Sequence, residues 1–266
     1  MEVHAHTHTA DPDSHRGRKK WTHYFWEFLM LFLAVFCGFL AENQREHIVE
    51  HKRAKEYAKS LLNDIREDTG ELQRGIHQTK FIMSSIDSLV SIASSMEINE
   101  TVPGRFYYYS KFTFNGFRID WSKSTIDQLI QSGNLRYFRN KELVGAINFY
   151  YYMQGIISVH NQSDFIHRDK IMESRNRILQ SRYYSIFAQL DITKEEYEHV
   201  PSQQIDSLMN TTLPLQKGAA TEMDEFVNYI TDRKWRLNSI AEIYYPKANE
   251  VASDIIHMLK KEYDLK

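Results

Sequence analysis

The stretch WTHYFWEFLMLFLAVFCGFLAENQ, residues 21–44, constrains the chain more than any other, because an unbroken apolar helix needs either lipid or a large protein core around it. From Tyr24 to Ala41, 18 residues carry one charge, Glu27. At about 1.5 Å per residue they reach roughly 27 Å, close to the hydrocarbon thickness of a bilayer. Trp21, Tyr24 and Trp26 gather at one end, where amphipathic rings favour the headgroup level, and Arg16, Arg18, Lys19 and Lys20 lie just outside them. A soluble core helix needs neither flank. A cleaved export signal begins the same way, but its cut site wants small residues, and bulky Phe39 and Leu40 precede the only candidate cut, after Ala41. Phe36 similarly stands where lipidation of Cys37 would need a small residue. The stretch therefore reads as a retained membrane span, with the lipid bilayer as its partner.

Lys and Arg close to a span tend to stay cytoplasmic. The four basic residues before the span adjoin it, whereas Arg45, Lys52, Arg53 and Lys55 follow at a greater distance among Glu42, Glu46 and Glu50. The expected orientation keeps the N-terminus inside and the larger C-terminal part outside. Cys37 is the one cysteine, so neither a disulfide nor a redox compartment can be read from the rest.

Beyond the span, a net charge of -2 points to no nucleic-acid partner. With only 10 Gly and 5 Pro in 266 residues, few points break a helix. The expected fold class is all-α: an N-terminal transmembrane helix continuing into a long helical stalk and a helical bundle, with a short aromatic loop or hairpin. Four segments follow. Residues 1–20 read as a disordered His-containing tail, 21–41 as the transmembrane helix, 42–97 as a juxtamembrane long helix and 98–266 as the remainder of the bundle. The 42–97 segment lacks Pro. Ala54, Ala58, Leu61, Ile65, Leu72, Ile76, Thr79, Met83, Ile86, Val90 and Ala93 mark one helical stripe, with Gly70 and Gly75 as weak points.

Residues 98–118 change character, with Pro103-Gly104, an Asn115-Gly116 turn pair and many aromatics, and predict a loop or short hairpin. Helical pattern resumes at STIDQLIQ, breaks at Gly133-Asn134 and restarts behind Asn140 as N-cap, persisting to about Leu190. A Thr193 to Glu196 capping box predicts a brief helix before Pro201, residues 210–218 predict a loop, and 219–263 predict a helix kinked near Pro246.

The segments YFWEFLMLFLAVFCGFLAENQRE, KRAKEYAKSLLNDIREDTGEL and STIDQLIQSGNLRYFRNKELVGAINFYYY together resemble a group of uncharacterised bacterial single-pass membrane proteins. Those proteins combine a short N-terminal tail, one membrane helix, a long charged helix and an SGNL…NKEL…YY segment. The resemblance implies a bacterial inner membrane protein, and the orientation expected from the basic residues then makes the C-terminal domain periplasmic or extracytoplasmic. It transfers no activity, so Ser132, Gly133, Asn134, Leu135, Asn140, Leu143 and Tyr150, which match it, receive no catalytic role.

Several constellations bear on function. HIVEH at 47–51 fits H-x-x-E-H, in which His47 and His51 would ligate zinc and Glu50 would activate water; in a charged helix just past the span, a polar helix turn is the better reading. His4, His6, His8 and His15 would bind metal only weakly from a flexible tail. Within the span, Glu27, Ala34, Gly38 and Ala41 share one face, and Ala34-x-x-x-Gly38 permits close approach of a second helix. Glu27 is close enough to the basic end to snorkel towards His23 or the headgroups. The aromatic runs at 106–109 and 149–152 suggest a partner surface at Tyr108 and Tyr151, although at least two rings of each run are expected to pack inside. No Walker motif, G-x-S-x-G, Rossmann fingerprint or Cys-based metal pattern occurs, so no catalytic residue, metal or cofactor is expected.

These features favour a membrane-anchored helical interaction or scaffold protein, not an enzyme, that acts through a protein partner or self-association. The alternative is a sensor whose outer domain binds a ligand and signals through a partner. A polar cleft between helices would favour the sensor and a broad apolar surface the interaction module.

Overall fold

The computed structural model describes residues 16–95, 100–188 and 203–266, so the tail histidines and the Thr193 capping box lie outside the described residues. Of the described residues 84 % are helical, and the all-α expectation holds. The chain divides into two units, Met1–Ala54 and Lys55–Lys266.

The first unit holds the early turns of α1, which runs Arg16–Ser95. It includes an 18-residue window long and apolar enough to cross a membrane, none of it buried. Phe25, Phe28, Leu31, Phe32, Val35, Phe36 and Phe39 are all exposed. This helix therefore has no protein core of its own.

In the second unit α1 turns amphipathic. Its buried positions include a seam of Ala58, Leu61, Ile65, Asp68, Leu72, Gly75, Thr79, Ile82, Ile86 and Leu89, in alternating steps of three and four, with Leu62, Ser85 and Ile92 buried beside it. The stripe expected from apolar and small residues follows this face as far as Leu72 and meets it again at Thr79 and Ile86, whereas Ile76, Met83, Val90 and Ala93 are half-buried. The seam repeats every 3.5 residues, and its members Asp68 and Gly75 are not apolar. The helix also runs unbroken through Gly70 and Gly75. A Cβ at Gly75 would lie 2.9 Å from both Phe117 and Tyr245, so the glycine admits those rings.

The segment expected to be an aromatic loop or hairpin is different. Strand β1, Thr101–Pro103, pairs antiparallel with β2, Thr212–Pro214, and the aromatics Phe106 to Tyr109 lie on helix α2, Gly104–Ser110. The strand's partner is more than a hundred residues away, where no local turn signal could announce it. Tyr107 fastens the arrangement. Its hydroxyl donates to the Pro214 carbonyl at 2.6 Å and accepts from the Gln180 amide at 3.0 Å.

Helix α3 spans Ser124–Gln131 and stops at Gly133, whose φ of 68° is the left-handed conformation glycine tolerates. Asn140 caps α4, Lys141–Ile178, its Oδ1 accepting from the amides of Glu142 and Leu143 at 3.0 and 3.2 Å. Helix α4 ends earlier than its periodicity suggests, at a bridge between Leu179 and Leu215, and α5 follows at Ser181–Ala188. Helix α6, Gln203–Met209, leads into β2. Helices α7, Ala219–Ser239, and α8, Tyr245–Tyr263, both pack on α4. Between them Ile240–Tyr244 widens into a π turn, the expected irregularity, because Pro246 lacks an N–H and its ring crowds the carbonyl one turn back.

Two glycines separate backbone demand from mere tolerance. A Cβ at Gly104 would sit 2.0 Å from the Leu208 carbonyl oxygen, whereas one at Gly155 on α4 meets nothing within 4 Å. Gly104→Ala should destabilise by about 2 kcal/mol or more through overpacking. Gly155→Ala should stabilise by about 1 kcal/mol through helix propensity. Urea unfolding followed by circular dichroism in non-ionic detergent checks both signs.

Candidate functional site

On the first unit, Glu27, Ala34, Gly38 and Ala41 are all exposed, and a Cβ at Gly38 would meet nothing within 4 Å. His23 Nε2 lies 3.1 Å from Glu27 Oε1, one helical turn away. His47 Nδ1 lies 3.9 Å from Glu50 Oε2, beyond hydrogen-bond reach. Among the described residues no group of three or more His, Cys, Asp or Glu is placed to hold a metal.

Of the two tyrosines expected at a partner surface, Tyr108 is corrected by its burial. It is 5 % exposed, and its ring packs on Tyr109, Phe112 and Phe187. Helix α2 is covered by both α5 and α6, so Phe106, Tyr107 and Tyr108 can all be buried on one short helix. Tyr151 on α4 is 38 % exposed. In the second run only Tyr150 packs inside, against the expectation of two, and Phe149 and Tyr152 are exposed with Tyr151.

Those exposed rings begin a longer feature. Phe149, Tyr152, Ile156, Val159 and Ile166 recur at heptad spacing along α4, with Ser163 filling the remaining position. Four of these five apolar side chains are exposed, Val159 at 68 %, and Ile156 is half-buried. The Phe149 and Tyr152 rings stack with centroids 6.2 Å apart. From Leu143 to Ser163 the helix contains no Asp, Glu, Lys or Arg. Aromatic enrichment and charge depletion are the compositional marks of an interface centre.

A second constellation lies where α4 meets the segment after α2. Arg233 of α7 is 0 % exposed and grips Asp164 with two hydrogen bonds of 2.8 and 2.9 Å. It also donates to the carbonyls of Thr113 and Asn115. Arg168 donates to the intervening Phe114 carbonyl at 3.2 Å, places Nε 3.6 Å from Asp164 Oδ2 and stacks over the Phe165 ring. A Cβ at Gly116 would be 2.6 Å from Arg168 Nη1, so the glycine lets the guanidinium lie against the backbone there. Arg175 lies between the Phe114 and Tyr184 rings, 4.6 and 4.3 Å from their centroids. Burial lowers the pKa of both Arg168 and Arg175.

Beside this cluster is a cleft of about 560 Å³ lined by residues 117–119 and by α4 side chains from Ser158 to Arg168. The sequence hinted at it only in one place. Asp164 and Arg168, an i, i+4 pair, are the first strong charges after the long uncharged run of α4. Their partners 113–116 and Arg233 are distant in sequence.

The residues of the resemblance act structurally. Asn134 donates to the Tyr57 hydroxyl at 2.8 Å, Leu143 is core, and Tyr150 donates to buried Asp68 at 2.8 Å. Asp68 also accepts from the Ser122 amide at 2.8 Å and from Gln154 Nε2 at 3.0 Å. Desolvation outweighs these bonds and raises its pKa above the ordinary aspartate value. The folded protein then holds this proton more tightly than the unfolded chain, so stability falls as pH rises from the ordinary value to the folded one and levels off beyond it. Asp68→Asn should remove that component. In urea unfolding at stepped pH, wild type should lose stability relative to the variant across the interval, and parallel profiles would contradict the assignment.

No protein-family model, curated protein or solved structure matches the chain.

Proposed function

We propose that the protein is a single-pass, membrane-anchored helical interaction module without catalytic chemistry, which pairs with a second copy of itself along α4. The observation that carries this reading is the exposed heptad seam of Phe149, Tyr152, Ile156, Val159 and Ile166. A seam of that spacing fits another helix, and a twofold axis places the same surface on both sides. Because the run from Leu143 to Ser163 has no strong charge, such pairing brings no like charges together. The exposed apolar turns of α1 supply the anchor, and the basic residues ahead of them favour an N-terminus in the cytoplasm of a bacterial cell and a C-terminal domain beyond the inner membrane. Confinement to a membrane raises the effective concentration of the partner, so a seam of one helix face suffices.

The test is a photoreactive amino acid at Tyr152, compared with one at exposed Lys261 on α8, in membranes. A covalent homodimer should form from position 152, joined within 145–170 of the second copy, and not from 261. No homodimer from 152, or a crosslink from 152 to a different protein alone, would contradict self-pairing.

A further inference from the structure

We propose that the cleft between residues 117–119 and α4 is a binding site for a small organic oxyanion, a carboxylate or phosphate monoester carrying an aromatic body. This goes beyond the pairing surface and does not depend on it. Charge is the first argument. Arg118 and Arg168 both line the cleft, and Arg233 lies directly behind Asp164. In the lining two arginines face one carboxylate, Asp164, which Arg233 already holds with two hydrogen bonds and which lies 3.6 Å from Arg168 Nε. Asp164 is shared between Arg233 and half-buried Arg168, and an anion in the cleft would balance the positive charge that one shared carboxylate leaves over.

Unused donors are the second argument. Arg118 is exposed and makes no hydrogen bond or ion pair with any described residue. Arg168 hydrogen-bonds only through Nη1, towards Phe114; its buried Nε faces Asp164 Oδ2 at 3.6 Å without a hydrogen bond, and Nη2 has none among the described residues. The planar guanidinium fork matches carboxylate and phosphate oxygens, so Arg118 and the free Nη2 edge of Arg168 form the grip.

Shape completes the case. The volume, about 560 Å³, suits a small organic molecule rather than a lone ion. Phe117 and Phe165 line the same space, and the guanidinium of Arg168 lies 4.8 Å from the Phe165 ring centroid, fixed before any ligand arrives. Asn161 and Gln162 supply neutral polar edges, and Asn161 Oδ1 is held by the Tyr245 hydroxyl at 3.2 Å. An aromatic body would therefore lie between rings while its acid group faces the arginines.

Isothermal titration of the full chain in dodecyl maltoside with phenyl phosphate, benzoate and neutral benzyl alcohol tests the site. Saturable binding of at least one of the two anions and none of the alcohol is expected. Arg118→Ala, at an exposed and unpaired position, should weaken anion binding by about tenfold or more without altering the fold. Arg168→Lys should weaken it similarly, because it keeps the charge and loses the fork. A third titrant, anionic phosphatidylglycerol vesicles, distinguishes a lipid headgroup from a soluble ligand. Competition of phenyl phosphate by those vesicles would identify the headgroup as the source of the oxyanion, and absence of competition would identify a soluble one. Failure of both aromatic anions to bind, or equal binding by Arg118→Ala, would overturn the proposal, and neither result bears on crosslinking at Tyr152.

Discussion

The Lys55–Lys266 unit depends on one buried ion pair, Arg233 with Asp164. Placing a guanidinium in a dry interior costs several kcal/mol, and the cost is offset only when its donors are satisfied. Here they are, by both carboxylate oxygens and by the carbonyls of Thr113 and Asn115. One side chain thus ties α7 to α4 and pins the irregular segment that follows α2. Arg168 fastens the carbonyl between those two, so three consecutive carbonyls are held by arginines instead of by a sheet. The position of Phe117 and Arg118, and hence the shape of the cleft, follows from that clamp.

A second buried acid organises another part of the same bundle, where α1 meets α4. Asp68 occupies a seam position on α1 where an apolar residue would be routine, and it receives Tyr150 and Gln154 of α4 together with the amide of Ser122. Asp64, one turn earlier, accepts from the amide of Thr125 at 3.2 Å and so caps α3 from a neighbouring helix. Polar groups at these places fix register more sharply than apolar packing would, since a slip of one residue strands each of them.

Long helices were legible because periodicity and the lack of Pro and Gly are local properties. Asn140 as a cap, Gly133 as a stop and the irregularity before Pro246 could all be read for the same reason. The α1 seam was read correctly at most positions up to Leu72 and only at Thr79 and Ile86 beyond it, because counting apolar residues passes over Asp68 and Gly75, whose burial depends on Tyr150, Phe117 and Tyr245. The β1–β2 pairing, the burial of Tyr108 and the arginine clamp each join segments far apart in the chain, which no window of sequence contains. Within the second aromatic run the error had the opposite sign. Phe149 and Tyr152 look like core residues by type, and only their side of α4 reveals that nothing covers them.

The anchoring reading rests on apolar turns that the protein itself leaves bare. Cys37 is the chain's one cysteine and is exposed in the fold, so protein packing within one copy does not shield it. It sits among Phe36, Phe39 and Leu40 and serves as a built-in reporter of what surrounds them. The decisive measurement is labelling of Cys37 by a membrane-impermeant maleimide in opened membranes, before and after addition of detergent and denaturant. Protection in membranes and full labelling after solubilisation is the result that anchoring predicts. Rapid labelling without detergent would place Cys37 in water and contradict it.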